Sequence, residues 1–240
     1  MTEEPVEETT ENEDRTPPPV KSELHSLVKS YQDVQEHRIA MNNQVFQLKE
    51  RGEPHETLLM HANEFHELEK NIKKSIEKAV KKHPMWAWFK TVKGIGPVFA
   101  ASLVSQIDIS KADHASSVWS FCGLAPDQKR KKGEKISWNP DLKRTAWLIG
   151  KSFVLSKGEY RKVYDQSKAY YQAKFPVPVK VEGTKIVKYT PGHIDAMSRR
   201  RAVKKFLADM WAQARQMEGL PISAPYMHKD DHENPMKYYE

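Results

Sequence analysis

A single cysteine, Cys122, occurs in 240 residues, so no intrachain disulfide can form and a reducing compartment is the natural setting. No stretch approaches about eighteen apolar residues, and the N-terminus lacks the basic-then-apolar pattern of a signal peptide. No membrane partner is expected. Walker-type and dinucleotide-binding motifs are missing, and no cofactor is expected. Hydrophobic residues are also scarce, at 38%, which places part of the chain outside any core.

Some of that scarcity lies in the first twenty residues, MTEEPVEETTENEDRTPPPV. Seven are acidic, one is basic and three are consecutive prolines. Such a segment buries too little apolar surface to offset its ordering entropy, and residues 1–20 read as a disordered acidic tail. The tail carries −6, leaving +13 on the remainder of a chain whose formal net charge is +7. A folded part this basic favours a polyanionic partner.

The remainder reads as mainly α. Residues 21–82 carry apolar side chains at helical spacing (Leu24, Val28, Tyr31, Val34, Val45, Leu48, then Leu58, Ala62, Phe65, Leu68, Ile72, Ile76, Ala79), interrupted at Gly52 and Pro54. This predicts a helical hairpin or coiled coil, acting as a spacer or as the element that makes a homo-oligomer. Residues 83–217 predict a compact helical domain, and residues 218–240 a flexible tail. Within the domain, PMWAWFKTVKGIGPVFAASLVSQI places an aromatic-rich short helix before KGIGP and a small-residue helix after it. Gly94 and Gly96 permit positive φ and a close backbone approach, and Pro97 suits the first turn of a helix. The pattern resembles a helix-hairpin-helix, in which the N–H groups of Gly94, Ile95 and Gly96, with Lys93, hold a phosphate. The alternative is a tight turn between two packed helices.

Val118, Trp119, Phe121 and Leu124 are expected in the core, as are Leu142, Ala146, Trp147, Ile149, Phe153 and Val154. VKVEGTKIVKY predicts a small β-hairpin insertion around Glu182, Gly183 and Thr184. The last helix, over residues 193–217, has an apolar face and a basic first half: Arg199, Arg200, Arg201, Lys204 and Lys205. The loop after GLAP is also basic, with Lys129, Arg130, Lys131, Lys132 and Lys135. These side chains read as phosphate contacts, with a solvated surface loop as the alternative.

The motif order resembles the C-terminal transposase domain of insertion-sequence transposases of the IS-one-ten type, the bridge-RNA-guided recombinases. It runs through a helical hairpin, KGIGPVFAASLVSQI, VWSFCGLAP, a basic loop with a glycine, LKRTAW, and a helix with A-x-x-R and KKFL, over roughly residues 60–212. The resemblance implies a RuvC-like domain with four metal-binding carboxylates ahead of the coiled coil. It also implies a serine nucleophile in a Ser-Gly pair shortly after GLxP. This chain departs on both counts. About twenty residues precede the hairpin, so no RuvC-like domain is expected, and Gly133, the match for the family's glycine, follows Lys132. Lys132 is a poor nucleophile, because an exposed lysine is protonated at neutral pH. Ser137 is the nearest downstream serine and a weak catalytic candidate, in a stretch that matches a non-catalytic part of the family. Arg144 matches a family arginine and is a candidate phosphate clamp.

A helix-hairpin-helix glycosylase is disfavoured, since the positions where its lysine and aspartate stand hold Val98 and, near Ser116, no aspartate. HKDDHE (His228, Asp230, Asp231, His232) offers metal-ligand types but reads as a solvated tail, and no metal is expected. Cys122 reads as core. The expectation is therefore a nucleic-acid-binding protein related to that transposase domain and without autonomous recombinase activity, binding DNA or a structured RNA. It would be cytoplasmic: nucleoid-associated in a prokaryote, or encoded by a phage or mobile element. The alternatives are a transposase subunit completed by a separate RuvC-like chain, and a structural coiled-coil assembly protein.

Overall fold

The computed structural model describes residues 23–126, 128, 130, 132–183 and 187–224. The acidic N-terminal segment, Lys129, Lys131, Thr184 and the HKDDHE segment lie outside the described residues. Helix α1 (Glu23–Glu50) turns at Gly52 and returns as α2 (Glu56–Val80). The short α3 (Trp86–Phe89) leads through KGIGP into α4 (Pro97–Val104). A single 3-10 turn at Ile109–Lys111 precedes α5 (Ala115–Phe121), and the GLAP loop then runs to α6 (Pro140–Ser156) and α7 (Glu159–Lys174). A two-stranded antiparallel ribbon pairs β1 (Val179–Lys180) with β2 (Val187–Lys188) before α8 (Pro191–Met217). The fold is mainly α with a small β-hairpin.

The α1–α2 hairpin is not held by apolar packing alone. Glu69, nearly buried, accepts from Arg38 Nε at 2.5 Å and from Gln35 Nε2 at 2.9 Å. A carboxylate set between two helices needs such partners, and this cluster ties α2 to α1. The base of the hairpin shares the main core: Val28, Ile76 and Val80 cluster with Phe89, Leu103, Ile149, Phe153, Phe206 and Trp211. Trp88, Phe89, Phe153 and Tyr160 surround Phe206 with ring centroids 5.3–6.5 Å away, an arrangement in which edges and faces of the rings meet favourably.

The α8 C-terminal half is buried on most sides and ties down the segment before α5. Trp211 Nε1 donates to the Ala112 carbonyl at 2.6 Å, and the buried Arg215 donates to the carbonyls of Ala112 and Pro221 at 2.8 and 2.6 Å. Two of these bonds satisfy the Ala112 carbonyl, at the end of the 3-10 turn, which the turn's own backbone leaves unpaired.

Two residues expected in the core lie outside it. The α6 stripe that packs inward is Leu142, Thr145, Ala146, Ile149, Gly150 and Phe153. Trp147 follows Ala146 by one residue, about 100° round the helix and off that stripe, and it is 55% exposed. On α5 the inward positions are Ala115 and Val118, continued by Cys122, and Phe121 at their edge is 41% exposed.

Candidate nucleic-acid interface

The GLAP segment begins with a left-handed turn at Gly123 (φ +67°), where Trp138 and Lys143 pack so closely that a Cβ would lie 2.8–3.0 Å from them. Asn139 closes the loop: its N–H donates to the Phe121 carbonyl at 2.9 Å and its side chain caps α6 by accepting from Asp141 and Leu142 N–H. An asparagine N-cap followed by Pro140 at the first helical position is a strong helix start. The cap thereby fixes where α6 begins relative to GLAP.

Between GLAP, α6 and α8 lies an open cleft of about 490 Å³. Gly150 and Val203 meet at its floor, where a Cβ on Gly150 would lie 3.2 Å from Val203 Cγ2. Lys143, Arg144, Arg199 and Arg200 line its walls, and Trp147 stands at the same cleft. Four cations converge here, and among the described residues no carboxylate lines the cleft.

Arg199 is held rather than free to swing. Asp195, one turn earlier on α8, accepts from Arg199 Nη2 at 2.6 Å. Asp195 also accepts from the Tyr164 hydroxyl of α7, and Lys168 lies 3.0 Å from that hydroxyl. Partial burial opposes the Asp195 charge, but the Tyr164 hydroxyl and Arg199 outweigh it and hold the carboxyl below its usual range. Arg199 Nε is buried and has no hydrogen-bond partner among the described residues.

The other three basic residues of this stretch of α8 each meet a different partner. Arg201 sits 6.0 Å from the Tyr170 ring, and Lys204 lies 5.0 Å over Trp119, with burial and then Arg200 pulling its pKa down. Lys205 Nζ pairs with the buried Asp209 at 2.6 Å. Only Arg199 and Arg200 of the five therefore line the cleft. Arg144 also pairs with Glu36 of α1, which links the cleft wall to the hairpin. The loop residues Arg130, Lys132 and Lys135 are exposed, as is Ser137, and none of these four is a lining residue of the cleft.

The KGIGP turn is a second concave surface. Gly94 takes φ +99°, whereas Gly96 has φ −92° in extended backbone and caps α4. Only one of the two glycines therefore uses a positive φ. Gly94 faces α6: Ser152 Oγ donates to its carbonyl at 2.7 Å, and Ser156 Oγ donates to the Lys93 carbonyl at 3.2 Å. Gly96, Pro97 and Val98 open on a cleft of about 480 Å³ shared with Tyr31, Gln35, Lys73 and Arg144. Lys93 is exposed beside Gly158, and Ile95 is buried.

Among the described residues no group of three or more His, Cys, Asp or Glu side chains stands close enough to hold a metal ion. Among the same residues no helix is long and apolar enough to cross a membrane.

Residues 87–166, from α3 into α7, match the model described as Transposase IS116/IS110/IS902 family. The matched segment contains the KGIGP turn, GLAP and all of α6, so the resemblance read from the motif order holds over this stretch. Comparison with curated proteins gives no match.

Sequence reasoning missed three features of this region. Apolar type alone places Trp147 in the core, nothing in the sequence distinguishes Lys143, and Asp195 carries no motif. The one available signal was the phase of the α6 stripe, which already sets Trp147 apart from Leu142, Ala146 and Ile149.

Proposed function

We propose that this transposase-related protein binds nucleic acid through the cleft between GLAP, α6 and α8. The observation that carries the reading is the convergence of Lys143, Arg144, Arg199 and Arg200 on one cleft. Guanidinium groups suit phosphate because their N–H donors match two oxygens at once, and contacts of this kind position a duplex or strand without reading its sequence. Asp195 and Tyr164 hold Arg199 in place before ligand arrives, which lowers the ordering cost of binding.

The KGIGP turn with Lys93 supplies a second backbone contact, in the manner of a helix-hairpin-helix, and the loop residues Arg130, Lys132 and Lys135 extend the positive surface. The α1–α2 hairpin pairs two such surfaces in a homo-oligomer. The exposed Ile39, Phe46, Leu59, Met60 and Leu68 support this by leaving apolar surface along both helices.

Fluorescence anisotropy with duplex DNA, a branched DNA and a structured RNA tests the reading. An Arg199→Ala/Arg200→Ala variant is expected to lose about tenfold or more in affinity. A Lys111→Ala/Lys162→Ala variant, equal in charge but away from the cleft, is expected to bind as the wild type does. Equal losses in both variants, or in neither, contradict the proposal. The transposase match favours a second reading, a recombinase component completed by a separate catalytic chain. A strand-transfer assay comparing Ser137→Ala with the wild type tests whether that hydroxyl takes part.

A further inference from the structure

One face of α6 carries Lys143, Trp147 and Lys151, and a second indole, Trp138, lies just before the helix. Lys143 lies 4.2 Å over the Trp138 ring, and Lys151 lies 4.5 Å over the Trp147 ring. Lys143, Trp147 and Lys151 recur every fourth residue, which places them on one face and about 6 Å apart along the helix. The stripe continues to Leu155, which is 80% exposed.

A tryptophan this exposed on a folded helix costs solubility and contributes little packing. Its neighbours give it a context. Trp147 stands at the cleft together with Lys143, Arg144, Arg199 and Arg200. An aromatic face beside a row of cations meets the two parts of an unpaired nucleotide: the base has a flat apolar face, and the phosphate is anionic. In a paired duplex the base faces are already stacked on each other and cannot reach the indole.

We propose that Trp147 stacks on an unpaired base of a nucleic-acid strand lying along α6, while Lys143, Arg199 and Arg200 hold its phosphates. This deepens the cleft reading above and rests on it: the cleft binds strand that is single or locally opened more tightly than closed duplex. Lys151, set against the indole, keeps the ring oriented and adds charge on the far side of the stacking position. Stacking of this kind tolerates any base, so the preference is for unpaired structure rather than for sequence.

The test compares labelled oligo-dT, oligo-U, an abasic DNA strand and a closed DNA hairpin of equal phosphate number, all at one ionic strength. Trp147→Ala is expected to weaken binding of oligo-dT, of oligo-U or of both about tenfold, while binding of the hairpin and the abasic strand changes by less than about twofold. Trp147→Phe is expected to recover most of the loss, since a smaller ring still stacks. The single strand that shows the dependence shows which of the two strand chemistries the stripe takes. An equal loss for all four ligands, or no loss for either single strand, overturns the stacking role. If Arg199→Ala/Arg200→Ala weakens every ligand while Trp147→Ala weakens none, the cleft reading stands and the stacking proposal falls. If the wild type binds no ligand in a salt-dependent way, the cleft reading itself fails and the stacking proposal with it.

Discussion

The Ser152 hydroxyl of α6 donates a 2.7 Å hydrogen bond to the carbonyl of Gly94, the residue at φ +99° in the KGIGP turn. The turn is therefore docked on the same helix that carries Trp147 and Lys143, and the two concave surfaces share one support. A Cβ on Gly94 would lie 2.7 Å from Ser156 Oγ and 3.2 Å from Phe153 Cδ1. Gly94→Ala is expected to destabilise the fold by about 2 kcal/mol, through the positive φ and the clash together. Ser152→Ala is expected to cost about 1 kcal/mol. Urea unfolding of the two single variants and the double variant checks this; fully additive losses would show that the two sites are not coupled.

Asp209 predicts a pH dependence. Burial raises its pKa to about 6, against the opposing pull of Lys205 and the Tyr160 hydroxyl. An unfolded aspartate titrates near pH 3.9. Between about pH 4 and pH 6 the folded protein thus holds a proton that the unfolded chain has released, and stability falls as pH rises through that window. The full cost, on the order of 2–3 kcal/mol, persists above it. Asp209→Asn keeps an acceptor for Tyr160 and removes the titration. Its unfolding free energy is expected to be flatter than the wild type's from pH 4 to pH 6, and a retained wild-type slope would contradict the assignment.

Cys122 is fully buried beside GLAP, and burial pushes its thiol up to about 12. A thiolate is the reactive form, so the native protein is expected to resist aromatic disulfide reagents at pH 8 and to react only when it unfolds. Reaction at the rate of a free thiol would place Cys122 outside the core. Cys122→Ala, by the same logic, is expected to retain ligand binding.

The helical hairpin gives a prediction about assembly. Phe46 is 64% exposed and Met60 51%. If these side chains form the contact between copies, Phe46→Lys/Met60→Lys lowers the mass measured by sedimentation and leaves the helical content unchanged. A monomeric wild type, or a variant of unchanged mass, would remove the hairpin as an oligomerisation element.

Much of this fold was legible in the sequence because its helices are long and their apolar positions regular. The break at Gly52, the start of α4 at Pro97 and the β-turn at Glu182 and Gly183 follow from local chemistry alone. What was not legible depends on tertiary partners. Lys205 looks like one more surface cation until Asp209 of the same helix is found buried beside it. Arg144 looks free until α1 brings Glu36 across from 108 residues away. Trp147 illustrates a third case, since apolar type suggested the core while helical phase placed it outside.

The salt dependence of binding tests the cleft most directly. Each phosphate contact releases counterions, so the slope of log affinity against log salt counts the contacts. With the preferred ligand, Arg199→Ala/Arg200→Ala is expected to show a slope shallower by about two than the wild type, and Lys111→Ala/Lys162→Ala the wild-type slope. A wild type that binds only weakly and without a salt slope, or a cleft variant with the slope unchanged, would contradict the assignment of this cleft to nucleic acid.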